Sequence, residues 1–497
     1  MGSTETNNWT LWVRVRTVRC VVKPNLLIVM SDQHVPHASG AYGDTVVRTP
    51  TLDSLAARGT TFDAAYCNSP ICVPSRAAMA TGRYVHQTGN YDNASPYTGT
   101  EAASWGHRVE AAGIPLVTIG KLHYRGVADD TGFSDQRLPL HVRGGTGDLF
   151  HCLRDAQPPA PQLRGAVVGT ARGESDYTRQ DRSVAEAAVA WLTDEAPRDR
   201  AWAAKVSLVT PHYPFTVPGE YLDLYADIKP PEPLRSDPAD WDRHPAVDFY
   251  RRSCGLDLPL TAEETRRSLR HYFGLVSFMD AQLGMVLRAL VATGQAENTI
   301  VLYVSDHGEL MGTDGTWFKG TMNERSVRIP MILAGPGVAE GERCGTPVSL
   351  VDVFPTVLDA LGIASAKADA DLPGRSLLEL ARRGTDPRRT VFSEFHSANS
   401  ASGGFMVRYG SWKYEYHVGF PERLFDLAAD PDELHDRAAD PAAADALERG
   451  RKELLAICDP VAVDAEVRAD QRRRIAEYGG IEAVLAKPLM THSPTGA

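Results

Sequence analysis

Three apolar runs in this sequence each end in a cluster of polar residues. Residues 26–30, 201–210 and 299–304 are mostly apolar, and the clusters that follow them are Ser31-Asp32-Gln33, Pro211-His212-Tyr213-Pro214 and Ser305-Asp306-His307-Gly308-Glu309. Such runs are typical of strands that are buried on both faces of a parallel sheet. Binding sites of open α/β folds lie at the carboxyl ends of these strands. We therefore expect the polar clusters to lie close together at one edge of a sheet.

Helical patterns lie between the strand-like runs. Residues 49–56 begin with a Thr-Pro pair and are followed by Gly59, which predicts a capped helix. From Leu269 to Leu290 apolar residues recur at spacings of three and four, and Gly294 follows, which predicts a long amphipathic helix. The alternation of strands and helices predicts an α/β fold with a large, mainly parallel sheet flanked by helices, formed by residues 23–384.

The character of the sequence changes after residue 384. Short strand-like runs at residues 390–395, 405–409 and 412–416, separated by Gly and Ser, predict a short antiparallel sheet in a smaller domain of residues 385–438. Residues 439–497 are rich in Ala, Arg and Glu with helical spacing. They predict a helical tail that packs on a neighbouring subunit in a homodimer or homotetramer. Residues 1–22 form an N-terminal extension without an assigned role.

Charge and hydropathy exclude several classes of protein. The net charge is −11, from 52 basic and 63 acidic residues, whereas nucleic-acid binding requires a basic face. The apolar run at residues 26–30 is far shorter than the roughly 20 residues of a membrane span. Arginines interrupt residues 1–22, which argues against a cleaved signal. We therefore expect a cytoplasmic protein with no nucleic-acid or membrane partner, and an anionic substrate would need a local cluster of cations.

The cysteines leave room for one residue with special chemistry. There are seven of them, an odd number, and they are widely scattered with no CxxC pair. This pattern argues against a disulfide framework and against a thiolate zinc site.

One segment around a cysteine resembles a known signature. Cys72-Val73-Pro74-Ser75-Arg76, continued by Ala77-Ala78-Met79-Ala80-Thr81-Gly82-Arg83, resembles the signature of the sulfatase family in the alkaline phosphatase superfamily. The resemblance extends to Thr49-Pro50-Thr51-Leu52-Asp53, Gly120-Lys121-Leu122-His123, Trp317-Phe318-Lys319, Ser326-Val327-Arg328-Ile329-Pro330 and Leu424-Phe425-Asp426-Leu427. It implies an alkaline-phosphatase-like fold and the hydrolysis of a small organic sulfate ester. It also implies that a maturation enzyme oxidises Cys72 to formylglycine (3-oxoalanine).

The resemblance implies a site for one divalent metal ion, either Ca²⁺ or Mn²⁺. Its ligands would be Asp32, Gln33, Asp306, His307 and the hydrated aldehyde derived from Cys72. Many sulfatases carry two adjacent acids at the first position and Asp-Asn at the last. The pairs found here, Asp-Gln and Asp-His, are similar to those of the choline sulfatase and phosphonate monoester hydrolase branch. An imidazole among oxygen ligands shifts the expected metal from Ca²⁺ toward Mn²⁺.

The chemistry of a sulfate ester requires several kinds of side chain in its active site. Its three oxygens require a metal or cations, sulfur requires an in-line nucleophile, and the leaving oxygen requires an acid. The resemblance implies that Arg76 stabilises the alkoxide, that Asp306 accepts its proton, and that Lys121 and Lys319 hold the sulfate. His212 would protonate the leaving oxygen, and His123 would deprotonate a covalent hemiacetal sulfate so that sulfate is eliminated. If residues 121–123 are extended, Lys121 and His123 point to one side.

Two further residues are candidates for substrate contact. Asn93 lies 21 positions after Cys72, where the choline sulfatase and phosphonate hydrolase branch places an asparagine, although a turn-forming Asn fits the segment nearly as well. Glu394 is a candidate acid for the ammonium group of choline, which also requires an aromatic cage.

The sequence leaves two alternatives to a sulfatase. One is a phosphonate monoester or phosphodiester hydrolase of the same superfamily, which tends to carry Tyr and Thr where this chain has Lys121 and His123. The other is a non-catalytic, anion-binding pseudoenzyme in which Cys72 remains a thiol.

Overall fold

The computed structural model describes residues 23–154 and 161–487. The N-terminal extension predicted at residues 1–22 and the last ten residues of the predicted tail lie outside the described residues. The strands are β1 (Asn25–Asp32), β2 (Gly59–Phe62), β3 (Ala65–Tyr66), β4 (Leu116–Lys121), β5 (Asp135–Leu140), β6 (Ala171–Arg172), β7 (Ala203–Pro211), β8 (Thr216–Val217), β9 (Thr299–Ser305), β10 (Met331–Ala334), β11 (Glu342–Cys344), β12 (Val348–Ser349), β13 (Thr390–Phe395), β14 (Gly404–Tyr409), β15 (Trp412–His417) and β16 (Arg423–Asp426).

Eight of these strands form the main sheet, in the order β11-β2-β10-β9-β1-β7-β4-β5. Strands β9, β1, β7, β4 and β5 pair in parallel, and β10 is the strand that runs against both of its neighbours. The three apolar runs of the sequence are therefore neighbours in the order β9-β1-β7. The predicted large, mainly parallel sheet is confirmed.

Helices cover both faces of this sheet. The α-helices of the described residues are α1 (Pro50–Ala57), α2 (Cys72–Thr81), α3 (Val85–Thr88), α4 (Trp105–Ala111), α5 (Pro161–Val168), α6 (Asp176–Ala190), α7 (Gly219–Leu222), α8 (Pro245–Ser253), α9 (Ala262–Ala292), α10 (Glu324–Val327), α11 (Val353–Leu361), α12 (Leu377–Arg383), α13 (Ala444–Ile457), α14 (Pro460–Glu477) and α15 (Ile481–Leu485). In β1, Leu27 and Val29 pack in the core with α6 and α9, whereas Leu26, Ile28 and Met30 pack in the core with α2 and α11. Because side chains alternate across a strand, a continuous apolar run fills both layers.

The smaller sheet has four antiparallel strands in the order β13-β14-β15-β16. The first three correspond to the strand-like runs of the sequence, and the fourth, β16, lies in a segment noted only for its resemblance to a family motif. Phe392 and Phe405 of this sheet pack with Ala78 and Val85 of α2 and α3. The smaller sheet therefore lies directly behind the helix that begins at Cys72.

The described part of the tail, residues 439–487, contains the helices α13, α14 and α15, and part of it packs on its own chain. Ile475 and Val484 form an apolar cluster with Ala94, Cys152 and Leu153. Other apolar side chains of the tail are exposed, namely Leu455, Val461, Ile481 and Leu485. The oligomeric role predicted for the tail, and the domain boundaries, stay predictions.

Helix α9 is long and apolar enough to cross a membrane by length and composition alone, and 67% of its most apolar window is buried inside the fold. It packs against α6 and β7. This burial explains its apolar composition as that of a core helix. The six cysteines of the described segments are free thiols: Cys67, Cys72, Cys152, Cys254, Cys344 and Cys458.

Candidate active site

The polar ends of four neighbouring strands meet at one edge of the main sheet. Asp32 ends β1 and Lys121 ends β4, while His212 follows β7 and Asp306 follows β9. Ser31 pairs with Ser305 in the parallel register of β1 and β9, which brings the two following aspartates side by side. The structure therefore brings together the polar clusters that the sequence placed at strand ends.

Cys72 lies among the predicted metal ligands. Its Sγ atom is 3.2 Å from Nε2 of His307 and 3.8 Å from Oδ1 of Asp32. Nε2 of His307 is in turn 3.6 Å from Oδ1 of both Asp32 and Asp306. One ligand atom from each of these four buried residues lies within 4.8 Å of the others. Burial, together with the negative charge of Asp32, raises the pKa of the Cys72 thiol to about 11.

Arg76 lies between the two aspartates of this cluster. It follows Cys72 by one turn of α2 and is fully buried. Its Nε donates to Oδ2 of Asp306 at 2.8 Å, and its Nη2 donates to Oδ2 of Asp32 at 3.1 Å. Burial opposes the charged form of Asp32, but the positive charges of Lys121 and Arg76 outweigh this effect and hold the pKa of Asp32 well below its usual range. Arg76 therefore orients both carboxylates and helps to keep Asp32 charged.

Gln33 lies beside the cluster in a left-handed backbone conformation, with φ of 67°. Its backbone N donates to Oδ1 of Asp306 at 3.1 Å, and its Oε1 accepts from Nζ of Lys319 at 2.6 Å. Its Nε2 donates to Glu309, whose other carboxylate oxygen accepts from the backbone of Met311 and Phe318. These contacts fix the loop that carries Lys319. In this structure Oε1 of Gln33, the atom predicted to bind the metal, accepts a hydrogen bond from Lys319.

A cavity opens in front of Cys72. Six of the residues predicted from the sequence line it: Cys72, Asn93, Lys121, His123, His212 and Lys319. Lys121 Nζ lies 2.6 Å from Oδ2 of Asp32. His123 does not continue an extended strand, because β4 ends at Lys121 and His123 has a φ of 62°. The expected geometry of an extended pair is thus wrong, although both side chains reach the cavity.

The two cavity histidines are buried and close to positive charges. Burial and the charges of Lys121 and Arg76 hold the pKa of His123 well below its usual range. Burial and the charge of Lys319 also hold the pKa of His212 well below its usual range. Nδ1 of His212 lies 2.6 Å from the carbonyl oxygen of Tyr213. That contact defines Nδ1 as the donor and leaves Nε2 as the atom that can exchange a proton. An anionic ligand between the lysines would raise the pKa of both rings.

Asn93 supplies a cap for α2 from a distant part of the chain. The N-cap position of α2 is Ile71, which has no side-chain group to accept from the first backbone N–H groups. Oδ1 of Asn93 accepts from the backbone N of Val73 at 3.1 Å. Pro74 needs no acceptor, and the backbone N of Ser75 donates to Ile71 O. The positive end of the α2 dipole is thereby fixed at Cys72, where it favours an anion.

The structure does not bring Glu394 to this cavity. Its side chain is 0% exposed, with Oε1 at 2.9 Å from Nδ1 of His86 and Oε2 at 2.8 Å from Nε2 of His396. Burial alone would raise the pKa of Glu394, but the charge of His86 and the hydrogen bonds from both rings outweigh it and hold this pKa at about 2. Both carboxylate oxygens of Glu394 therefore already have histidine partners inside the protein.

Glu394→Gln is therefore expected to destabilise the fold. The folded-state pKa of about 2 lies below the ordinary value of 4.5, so the stabilisation is present above pH 4.5 and is lost as the pH falls toward 2. We expect a loss of about 3 kcal/mol in the free energy of unfolding at pH 7, and a weaker acid dependence than in the wild type. Denaturant unfolding at several pH values measures both. Glu379→Gln, which changes an exposed pair with Arg383, is the control and should match the wild type.

Several cavity residues were not predicted from the sequence. Arg143, Asp148, His151 and Tyr177 line the cavity from loops and from α6, where no strand end or motif marked them. Tyr213, which stacks on His212 with ring centroids 4.3 Å apart, lay in a cluster that the sequence had singled out. Lysines 121 and 319 and Arg143 give this cavity a positive lining despite the negative net charge of the chain.

The fold and the site define an α/β protein with a buried cluster of metal-ligating side chains below a cationic cavity. A family model described as Sulfatase matches residues 24–363, and one described as N-sulphoglucosamine sulphohydrolase, C-terminal, matches residues 312–459. The chain belongs to the sulfatase family. The resemblance of the sequence motifs to this family is confirmed.

Individual relatives agree with this assignment. The choline-sulfatase of Rhizobium meliloti (strain 1021) is 32% identical over 473 residues, which cover 92% of this chain and 91% of that protein. Arylsulfatase K of Homo sapiens is 32% identical over 450 residues, 84% and 79% of the two chains. The crystal structure of the phosphonate monoester hydrolase of Agrobacterium radiobacter shares the fold, with a TM-score of 0.69, 23% identity, and coverage of 90% and 96%. The family and its named members support sulfuric ester hydrolase activity.

Proposed function

We propose that this protein hydrolyses a small organic sulfate ester to an alcohol and sulfate, using formylglycine formed from Cys72 and one divalent metal ion. One observation carries the proposal: the first residue of the signature segment lies at the positive end of α2, within the cluster of Asp32, Asp306 and His307, and faces a cavity lined by lysines and histidines. An anion bound in this cavity would face both the nucleophile position and the cations.

The residues of the cluster fit a divalent ion. Two carboxylates and one imidazole converge on the position of the Cys72 side chain, and Nδ1 of His307 contacts the carbonyl oxygen of Gly308 at 3.1 Å. That contact directs Nε2, with its lone pair, toward the aspartates, as a metal ligand requires. The imidazole favours Mn²⁺ over Ca²⁺. When bound, the ion would polarise the sulfate and lower the pKa of a hydroxyl of the hydrated aldehyde.

The remaining residues bind the sulfate group and transfer protons. Lys121 contacts Asp32, Lys319 contacts Gln33, and both lysines line the cavity, so they can hold sulfate oxygens there. His123 is a neutral ring and so can accept a proton. His212, with Nε2 as its exchangeable atom, can pass a proton to the leaving oxygen once the negative substrate raises its pKa.

An aromatic side pocket next to the cavity would bind the alcohol. We give this name to the space lined by Phe150, Tyr213, Tyr250, Phe318 and Phe395, which shares Ile71, His151, Tyr213 and Lys319 with the catalytic cavity. Within the described ranges no carboxylate lines this side pocket. An apolar or aromatic alcohol therefore fits better than the ammonium group of choline, which needs a negative partner.

Rates on three esters test the proposed function. We expect kcat/KM to be at least about tenfold higher for 4-nitrophenyl sulfate than for choline sulfate, because the side pocket buries apolar surface. Activity on a phenyl phosphonate monoester should be lower still, since Lys121 and His123 are typical of the sulfate branch. A purified, metal-loaded enzyme with formylglycine at position 72 that hydrolyses only the phosphonate would favour the phosphonate hydrolase. The same preparation without turnover of any ester would favour the anion-binding pseudoenzyme.

A further inference from the structure

Helix α14, in the C-terminal tail, contacts a buried aspartate near the catalytic cavity. Nη1 and Nη2 of Arg474 donate to the two carboxylate oxygens of Asp92 at 3.0 and 3.2 Å, and Nε2 of Gln471 donates to Oδ2 of Asp92 at 2.8 Å. Asp92 is fully buried. Helix α14 spans Pro460–Glu477, whereas the two matched family models end at residues 363 and 459. These contacts therefore come from a part of the chain that the family models do not describe.

Asp92 organises the turn that carries Asn93. Its Oδ1 accepts from the backbone N of Ala94 at 2.9 Å, and its backbone carbonyl accepts from the backbone N of Ser95 at 3.0 Å. The next residue, Asn93, caps the backbone N of Val73 at the start of α2. A short series of contacts thus leads from Arg474 through Asp92 and Asn93 to the residue adjoining Cys72.

Helix α14 also fixes two other loops of the cavity wall. Gln471 Nε2 donates to the carbonyl oxygen of His396 at 2.8 Å, and the following residue, Ser397, bonds His151 through its side chain at 2.7 Å. Asp464 pairs with Arg154 at 2.7 Å and accepts from the backbone N of Gly403 at 2.6 Å. The segments around residues 93, 151 and 397 all contribute to the cavity or to the aromatic side pocket.

We propose that Arg474 and Gln471 are positioning residues of the active site, which hold the N-terminus of α2, and with it residue 72, through Asp92 and Asn93. Burial opposes the charge of Asp92, but the charge and hydrogen bonds of Arg474 outweigh this effect and lower the pKa of Asp92 to about 2, so a buried carboxylate depends on this arginine. Without Arg474, the turn at residues 92–95 must rearrange to hydrate Asp92, and Asn93 moves with it. This proposal rests on the proposed hydrolase function, because that function makes residue 72 the nucleophile that Arg474 and Gln471 position.

Arg474→Gln tests the proposal in the full-length, matured enzyme. We expect kcat on 4-nitrophenyl sulfate to fall by about 10- to 100-fold, with a much smaller change in KM, because misplacing the nucleophile affects the transition state most. Hydrogen exchange of the peptide that covers residues 71–81 should become faster, since the cap on Val73 is lost. Arg474→Lys retains the charge without the two-pronged contact, so it should give an intermediate kcat.

Arg473→Gln is the matched control. It alters the neighbouring arginine of the same helix, which pairs only with Asp470 and Glu477 in the described structure and whose side chain is 58% exposed, against 13% for Arg474. It should leave kcat within about twofold of the wild type and leave hydrogen exchange at residues 71–81 unchanged. Both variants are compared at a temperature well below their melting temperatures.

Two results would overturn the proposal. One is a folded Arg474→Gln enzyme, or a folded Arg474→Lys enzyme if the first variant does not fold, with the kcat of the wild type. The other is a reduced kcat with unchanged exchange at residues 71–81, which would place the effect elsewhere. A wild type that hydrolyses no ester would instead contradict the proposed function. In that case the exchange measurement alone decides whether Arg474 holds α2.

Discussion

Cys72→Ala is expected to lower kcat on any sulfate ester by about 10⁴-fold or more, because it removes the proposed nucleophile and one of the four clustered ligand positions. The fold should remain, since alanine fits the space and is favourable in a helix. Initial rates and a thermal melting curve measure the two effects. Cys458→Ala, a change at a half-buried cysteine packed with the smaller sheet, is the matched control and should keep its activity.

The mass of the peptide that contains residue 72 shows whether Cys72 has been converted to formylglycine. Conversion of cysteine to formylglycine removes about 18 Da from the peptide, and hydration restores a similar mass, so the peptide is measured in both forms. We expect the converted peptide in protein from a host that has the maturation enzyme. Activity in a preparation whose Cys72 peptide is entirely unconverted would refute the formylglycine assignment, as would full activity of Cys72→Ala.

Asp306→Asn is expected to abolish metal binding and to lower kcat by about 10³-fold or more. Asp306 offers a ligand oxygen to the cluster, accepts from Arg76, and accepts from the backbone N atoms of Gln33 and His307. An amide cannot replace the charge that a divalent ion and a buried guanidinium require. Metal content by mass spectrometry should fall from about one ion per chain in the wild type to near zero.

The control for this variant is Asp371→Asn, which changes an exposed pair with Arg83. It should retain both the metal and the activity. Treating the wild type with a chelator should reproduce the loss seen in Asp306→Asn, and added Mn²⁺ should restore activity to the wild type but not to the variant. A fully active, metal-free Asp306→Asn enzyme would rule out the proposed role of the ion.

The sequence predicted the parts of the site that depend on strand order and strand ends. Residues 26–30 and 299–304 are fully buried strands, and strands of this kind pair in parallel with their carboxyl ends at one edge. That rule alone brings Asp32 near Asp306. Arg76 follows Cys72 by four residues, so in α2 the two side chains lie on one helical face.

The parts that depend on loops and on long-range packing could not be predicted. His123 reaches the cavity through a left-handed turn that no spacing rule anticipates. Glu394 lies on a strand, and only the packing of the smaller sheet against α3 shows that its carboxylate faces His86 and His396. The contact of Arg474 with Asp92 joins residues separated by 382 positions, and neither position carries a local signal.

The burial of Cys72 dictates when the residue can be modified. Its side chain is 2% exposed at the start of α2, on the wall of the catalytic cavity, so an enzyme that must bind the surrounding segment has less access to it once the domain has closed. Roughly 400 residues separate it from Arg474, and a ribosome adds about 5–20 residues per second, so synthesis leaves an interval of about 20–80 s before helix α14 is available. Under the proposed function, we therefore expect the conversion of Cys72 to begin before the chain has closed around it.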